Sequence, residues 1–291
     1  PCQYLRLHCI VPTTSCGANG GLLWPHFADG RNVTRNPSPY TAIDSIARTR
    51  AATGRLLRAL GLSLALVISM MTSSVADNDF ASWLVELRAE ARGLGISDAT
   101  LDSALNEVTL NERVIELDRS QPEFNLTFDE YLSRFVSEWR RQTGAKMLVE
   151  HADILDEVEK KYGVQKRFLI TFWGMETSFG RYLGSFNVPR SLVTLAYDGR
   201  RSAYFRKELL NALRIIEEGH ITAPEMNGSW AGAMGQSQFM PSSFVNYAVD
   251  WNGDGRRDIW GTKADVFASA ANYLKKAGWR DDITWGRQVR I

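Results

Sequence analysis

Between residues 80 and 277 the apolar side chains return every three or four positions, and stretches alternating with period two are few and short. Phe80, Trp83, Leu84, Leu87 and Ala91 share one face of a helix over Phe80–Leu94. The same spacing predicts helices over Phe128–Thr143, His151–Tyr162, Gln165–Thr177, Ser202–Glu218, Ser242–Val249 and Lys263–Ala277. A short helix opens after Ser97, and Thr262 stands at the cap of the last one. Residues 111–126 carry charges and Pro122 and read as a loop. The stretches 178–200 and 220–240 read as irregular connections, where function tends to sit. The class expected is mainly α, with few short strands and no internal repeat.

Composition narrows this. The chain has 291 residues, a length of about two ordinary domains. Apolar residues make up 44% and charged residues 23%, which suits a chain that buries a core and excludes a collagen, a coiled coil or a mostly disordered chain. The net charge of +1 leaves no polycationic face for nucleic acid. Cys2, Cys9 and Cys16 are too few for a disulfide framework and fit no familiar zinc spacing. His151 and His220 stand alone in sequence, which argues against a transition-metal site.

The beginning of the chain differs from the rest. Residues 1–54 mix Pro, Gly, Asn, Thr and Arg without a sustained period and read as a leader with little packed structure. Arg48, Arg50, Arg55 and Arg58 then precede an apolar run, Ala59–Met71, broken by Gly61, Ser63 and Ser69. Thr72-Ser73-Ser74-Val75-Ala76 leads into Asp77. A basic stretch, a short apolar run and a small-x-small site describe a secretory signal peptide over 55–76. The run is short for a bilayer span. The other reading is a buried core helix. No cysteine follows the small-x-small site, so no lipid anchor is expected after cleavage. Residues 77–291 are then an exported, cysteine-free part. Residues 1–76 hold 7 basic and 2 acidic side chains, so the exported part is net negative.

Leu169, Phe172, Trp173 and Glu176 stand at i, i+3, i+4 and i+7, so one helix face ends in a carboxyl. Gly180 can supply the left-handed residue that closes this helix. A carboxyl in an aromatic, apolar setting loses solvation on ionising, and its pKa rises. It can then hold a proton near neutral pH and give it to a leaving oxygen. The alternative is a glutamate at a helix end, wetted or paired with Arg181. Glu208, Glu217 and Glu218 fall on an amphipathic helix and are expected to face solvent.

Gly174-Met175-Glu176-Thr177-Ser178-Phe179-Gly180 resembles the G-[IV]-E-T-x-[FW]-G segment of the lytic murein transglycosylases of the membrane-bound B type. Arg200-Arg201-Ser202-Ala203-Tyr204-Phe205, the run Gly228-Ser229-Trp230-Ala231-Gly232-Ala233-Met234-Gly235-Gln236-Ser237-Gln238-Phe239-Met240-Pro241-Ser242-Ser243, and Ala271-Asn272-Tyr273-Leu274 follow in the family's order. The likeness covers about residues 79–291.

The resemblance implies a lysozyme-like core with an added helical subdomain, acting on peptidoglycan in the periplasm of a Gram-negative bacterium. Such enzymes cleave the β-1,4 bond between N-acetylmuramic acid and N-acetylglucosamine and leave 1,6-anhydromuramoyl ends. One carboxyl, here Glu176, serves as acid and then base, and no cofactor enters the chemistry. Ser229 would orient Glu176 and Gln238 would contact an N-acetyl sugar. Tyr131, Tyr204 and Tyr273 would line the saccharide groove, since an aromatic ring offers a flat face and a phenol to a sugar. Arg200 and Arg201 would meet the acidic peptide stem. Tyr204 and Tyr273 can equally be core residues. A hydrolytic muramidase and a non-catalytic peptidoglycan-binding module remain alternatives. Family members continue past the point where this chain stops, Ile291, so 77–291 is expected to be a catalytic domain truncated at its C-terminus.

Asp250-Trp251-Asn252-Gly253-Asp254-Gly255-Arg256-Arg257-Asp258 sets oxygen side chains at positions 1, 3, 5 and 9 of an EF-hand-like loop, with Gly255 at 6. The Arg256 carbonyl would serve position 7. Position 12 is Gly261, not the bidentate glutamate, and Asp265 comes four residues later. The resemblance supports this loop, since some members carry a lengthened one with an Asp at the matching place. A structural calcium held by Asp250, Asn252, Asp254, Arg256 and Asp265 is expected. The other reading is a polar turn in which Asp265 completes a Thr262-x-x-Asp265 capping box.

Overall fold

The computed structural model describes residues 79–120 and 127–283. The expected leader, the signal peptide, the three cysteines and residues 284–291 lie outside them. From Ser82 onward the described residues form one compact unit. Helix α1 covers 79–93. In α2 (Asp98–Leu105) Ser97 is the N-cap, its Oγ accepting the Thr100 N–H at 3.3 Å. Glu217 accepts the Ser97 N–H at 3.0 Å and its hydroxyl at 2.7 Å, which ties this cap to a later helix.

Two segments expected to be irregular are helical. Glu112–Ser120 forms α3, with Val114 and Asp118 as its buried residues. One of its two inward residues is charged and the segment is polar on the whole, which is why it reads as a loop. Val188–Tyr197 forms α8, where Asn187 Oδ1 accepts the Arg190 N–H at 3.1 Å and Pro189 sits in the first turn. Every residue from Val188 to Ala196 except Arg190 is buried. Pro189 breaks no helical bond there, because the first N–H groups of a helix have no partner within it.

The single helix expected over Phe128–Thr143 is two. A capping box of Thr127 and Glu130 opens α4 (Phe128–Phe135). The chain then turns at Val136, and Ser137 caps α5 (Glu138–Glu150). The remaining helices are α6 (Ala152–Tyr162), α7 (Lys166–Thr177), α9 (Ser202–Glu217), α10 (Pro241–Tyr247) and α11 (Lys263–Lys276). Strand β1 (Phe186–Asn187) pairs antiparallel with β2 (Asn227–Gly228), Phe186 opposite Gly228. The described residues are thus mainly α with two short strands, the class expected.

Packing places α7 against α5, α6 and α11. Leu155, Val158, Leu169, Ile170, Trp173, Val266 and Phe267 form one buried cluster there. Each such side chain stabilises by about 1.5–3 kcal/mol when fully buried. Helix α8 packs on α9, and α10 packs on α9 in turn. Glu208 corrects the expectation of a solvent-facing residue. It is buried on α9, and its carboxylate accepts the Ser242 N–H at 2.8 Å and hydroxyl at 2.7 Å, so it caps the first turn of α10. No helix of the described residues is long and apolar enough to cross a membrane.

Candidate active site

Leu169 and Trp173 are buried on α7, Phe172 is half-buried, and Glu176 is half-buried at the end of the same stripe. Loss of water around its carboxyl pushes the Glu176 pKa up to about 8, with no hydrogen bond or opposite charge in the balance. Arg181 does not pair with it. That guanidinium lies 5.3 Å over the Trp139 ring instead.

The backbone after Glu176 is unusual. Ser178, Phe179 and Gly180 all take positive φ, at 50°, 62° and 78°. Two of the three carry side chains, and a left-handed residue of that kind costs about 1–2 kcal/mol. Hydrogen bonds hold the turn. Thr177 Oγ1 accepts the Gly180 N–H at 3.0 Å, and Thr177 O accepts the Tyr182 N–H at 3.1 Å. Arg140 of α5 donates to Ser178 Oγ at 3.1 Å and to Phe135 O at 2.7 Å.

Tyr131 is brought to this carboxyl from α4. Burial raises the pKa of its phenol, the charge of Glu176 adds to the rise, and Arg140 opposes it. The Tyr131 ring packs 4.5 Å from Phe135.

The segment 228–241 forms a tight loop, with bridges from Met234 to both Gly228 and Phe239. Ser229 is buried, and its Oγ accepts the Ala233 N–H at 2.9 Å. No hydrogen bond joins it to Glu176. Gly235 has φ of 67° and its α-carbon faces Ile259 so closely that a side chain would not fit. Gln238 also takes positive φ, and its amide nitrogen donates to Leu183 O at 3.1 Å and Gly235 O at 3.0 Å. Its Oε1 is the end left as an acceptor. Tyr273 is half-buried on α11, 5.5 Å from Phe239 of the loop and 5.1 Å from Tyr247. Tyr204 projects from α9 with 46% of its surface exposed, so it is not core.

Arg200 and Arg201 share one buried carboxylate. Arg200 Nε lies 3.2 Å from Asp118 Oδ2, and Arg201 pairs with the other oxygen of the same carboxylate. Asp118 is 1% exposed, and a carboxylate so buried requires paired cations. The pair therefore anchors α3 to the start of α9. Glu217 and Glu218 are likewise engaged, Glu217 with Ser97 and Glu218 with Arg257.

The acidic loop is wound on its own backbone. Asp250 accepts the N–H groups of Gly253 at 2.7 Å and Gly255 at 2.8 Å. Asn252 Nδ2 donates to Asp254 at 3.0 Å, and Asp254 accepts the Arg256 N–H at 2.8 Å. Asp265, fully buried, accepts the N–H groups of Trp251 and Asp258, each at 2.8 Å. These bonds replace the capping box, and Thr262 makes no side-chain cap. Burial raises the Asp265 pKa, the two backbone bonds oppose, and the charges of Asp250 and Asp254 add to the rise. Among the described residues no three His, Cys, Asp or Glu groups converge as a ready metal cluster. The donor set is nevertheless all oxygen and carries three carboxylates, of which Asp250 and Asp254 repel Asp265, the chemistry a calcium ion suits. A polar recess of about 210 Å³ lies elsewhere, between Asn106, Thr109, Asn187, Arg190 and Pro224, and none of the expected site residues lines it.

Sequence reasoning missed Arg140, Asp118 and Gln236. Gln236 stands inside a quoted motif, and its burial was the missing fact. Arg140 lies in a segment with no motif.

A family profile described as a transglycosylase SLT domain matches residues 79–291. The membrane-bound lytic murein transglycosylase B of Escherichia coli is 36% identical over 150 residues, which span 51% of this chain and 41% of that protein. The crystal structure of SltB3 from Pseudomonas aeruginosa in complex with NAG-NAM-pentapeptide is 45% identical with a TM-score of 0.71. The match covers 73% of this chain and 57% of that one. The Escherichia coli lytic transglycosylase SLT35 in complex with calcium is 30% identical with a TM-score of 0.63, over 70% of this chain and 65% of that one. The chain thus spans about half the length of the relatives first compared. Matched over most of its length, it belongs to the transglycosylase SLT-domain family.

Proposed function

We propose that residues 77–291 form a lytic transglycosylase domain that cleaves the β-1,4 bond between N-acetylmuramic acid and N-acetylglucosamine in peptidoglycan. The observation that carries this is Glu176, a desolvated carboxyl with no hydrogen bond and a pKa of about 8. Near neutral pH it holds its proton. It donates that proton to the glycosidic oxygen as the C1–O bond breaks, and the N-acetylglucosamine side leaves with a 4-hydroxyl. The carboxylate so formed takes the proton of the muramic acid C6 hydroxyl as that oxygen bonds to C1. A 1,6-anhydro ring results, Glu176 regains its proton, and no water is consumed.

An ordinary glycosidase needs a second carboxylate. Glu208, Glu217 and Glu218 are all committed to hydrogen bonds or ion pairs, which supports a single acid/base. Tyr131 lies where its phenol feels the Glu176 charge and would meet the sugar beside it. Ser229 would orient the acid once substrate is bound. Gln238 Oε1 would accept an acetamido N–H, and Tyr204 and Tyr273 would border the groove. The SltB3 complex with a NAG-NAM-pentapeptide supports peptidoglycan strands as the partner. Export through the signal peptide over 55–76, with 1–54 as a leader, would bring the domain to the periplasm.

A calcium ion, where bound, would be held by Asp250, Asn252, Asp254, the Arg256 carbonyl and Asp265 and would fasten the loop. The calcium complex of SLT35 supports that reading. The test of the whole is Glu176→Gln on purified sacculi. We expect muropeptide release to fall by about three orders of magnitude, as for loss of a general acid with its electrostatic role. Unchanged release would remove Glu176 from the chemistry.

A further inference from the structure

Gln236 is 3% exposed and is tied through both its side chain and its backbone. Its Oε1 accepts the Trp173 indole N–H at 2.8 Å and the Lys263 ammonium at 3.0 Å. Its Nε2 donates to Trp260 O at 2.6 Å. Its backbone N–H donates to Ile259 O at 2.8 Å, and its carbonyl accepts Thr177 Oγ1 at 3.0 Å. Trp173 and Thr177 are the residues three before and one after Glu176 on α7. Gly180, which ends the strained turn, faces the same amide so closely that a Cβ there would run into Oε1.

We propose that Gln236 is the positioning residue of the acid/base site, clamping the last turn of α7 to the end of the acidic loop and so fixing the direction of the Glu176 carboxyl. This rests on the reading of Glu176 as the acid. The physical reason is that the turn after Glu176 stores unfavourable backbone geometry and needs an external restraint. Helix packing restrains the apolar side of α7. Glu176 itself has no hydrogen bond to hold it, so its aim depends on its neighbours along the helix. Gln236 binds one neighbour on each side, through two different groups. Replacing it by a smaller residue would leave the Trp173 N–H, the Trp260 carbonyl and the Lys263 ammonium without this partner, and water would enter.

The charged and titratable groups that face this region come from several elements. They are Tyr131 of α4, Arg140 of α5, His151 with its ring 5.6 Å from Trp173, and Lys263 of α11 with its ammonium 5.4 Å over the same indole. All four residues are kept in the variants below; Gln236→Ala removes the Lys263 partner, whereas Trp173→Phe leaves the Lys263 bond to Gln236, so a shift common to both variants reports on the clamp.

The experiment titrates the side-chain carbon of Glu176 by NMR in protein labelled at glutamate, with Glu176→Gln assigning the signal. It also measures the initial rate of muropeptide release from saturating sacculi. In Gln236→Ala the Glu176 midpoint should fall by at least about one unit as water reaches the carboxyl. The rate should fall about tenfold or more, as for a misplaced reacting group. Trp173→Phe keeps a ring and removes one bond, and should move both readouts the same way by less. It decides the matter if Gln236→Ala does not fold. A lowered melting temperature with midpoint and rate at wild-type values would overturn the proposal and leave Gln236 a structural tie only. Absence of release by the wild-type protein would refute the glycan-cleaving reading, and the titration would still decide on Gln236.

Discussion

The end of α7 and the acidic loop each bury a carboxyl whose pKa rises for lack of water, and they treat it in opposite ways. Glu176 is left without a donor. Asp265 receives two backbone N–H groups and sits among other acids. A carboxyl kept from donors can take and release a proton without rearranging its surroundings. A carboxyl gripped by the backbone is part of the frame, and protonating it would break the loop it organises. The same residue chemistry is therefore open to proton exchange in one region and committed to backbone donors in the other, according to what faces its oxygens.

The largest effect that separates them is pH dependence of stability. The folded pKa of Glu176 lies above its unfolded value, so the folded state holds the proton more tightly. That contribution is fully present below about pH 4.5 and is lost as pH rises to about 8, at about 1.4 kcal/mol per unit. Glu176→Gln has no proton to lose. It should match the wild type near pH 4 and exceed it by on the order of 4 kcal/mol at pH 8.5 in urea unfolding. Equal stability of the two at pH 8.5 would mean that the carboxyl is solvated.

Asp265→Ala should act in the opposite sense. It orphans two backbone N–H groups in a buried place, and a loss of about 2–4 kcal/mol is expected at neutral pH. Calcium at ten times its dissociation constant should add about 1.4 kcal/mol, reversed by a chelator, as seen in the melting temperature. A melting temperature indifferent to calcium would break the cation reading and leave the loop a self-bonded turn. Smallest is Asp250→Ala, about 1 kcal/mol, because its backbone donors lie near solvent. That variant should also abolish any calcium response.

The sequence made one of these regions easier to read than the other. Glu176 was visible because it ends an apolar stripe on an amphipathic helix, and period is what a sequence shows best. Helix α8 lies in a stretch read as an irregular connection, and Pro189 belongs to its first turn, where it breaks no helical hydrogen bond. The split between α4 and α5 turned on Ser137 acting as a cap within a continuous apolar pattern. Glu208 was misjudged because a charged residue on an amphipathic helix reads as solvated until its buried partner is known, here Ser242. The buried partner of Arg201, Asp118, was equally invisible in the sequence. Gln236 was spelled out in a motif, yet nothing in its spacing tells it from Gln238, whose amide turns to Leu183 and Gly235.

The central claim is that one carboxyl performs the whole cleavage. Mass spectrometry of muropeptides released from sacculi tests it most directly. Muramoyl ends lighter by one water than hydrolysed ends, from wild-type protein and not from Glu176→Gln, are the result expected. Hydrolysed ends from the wild type would contradict it, because a water and a second base would then take part.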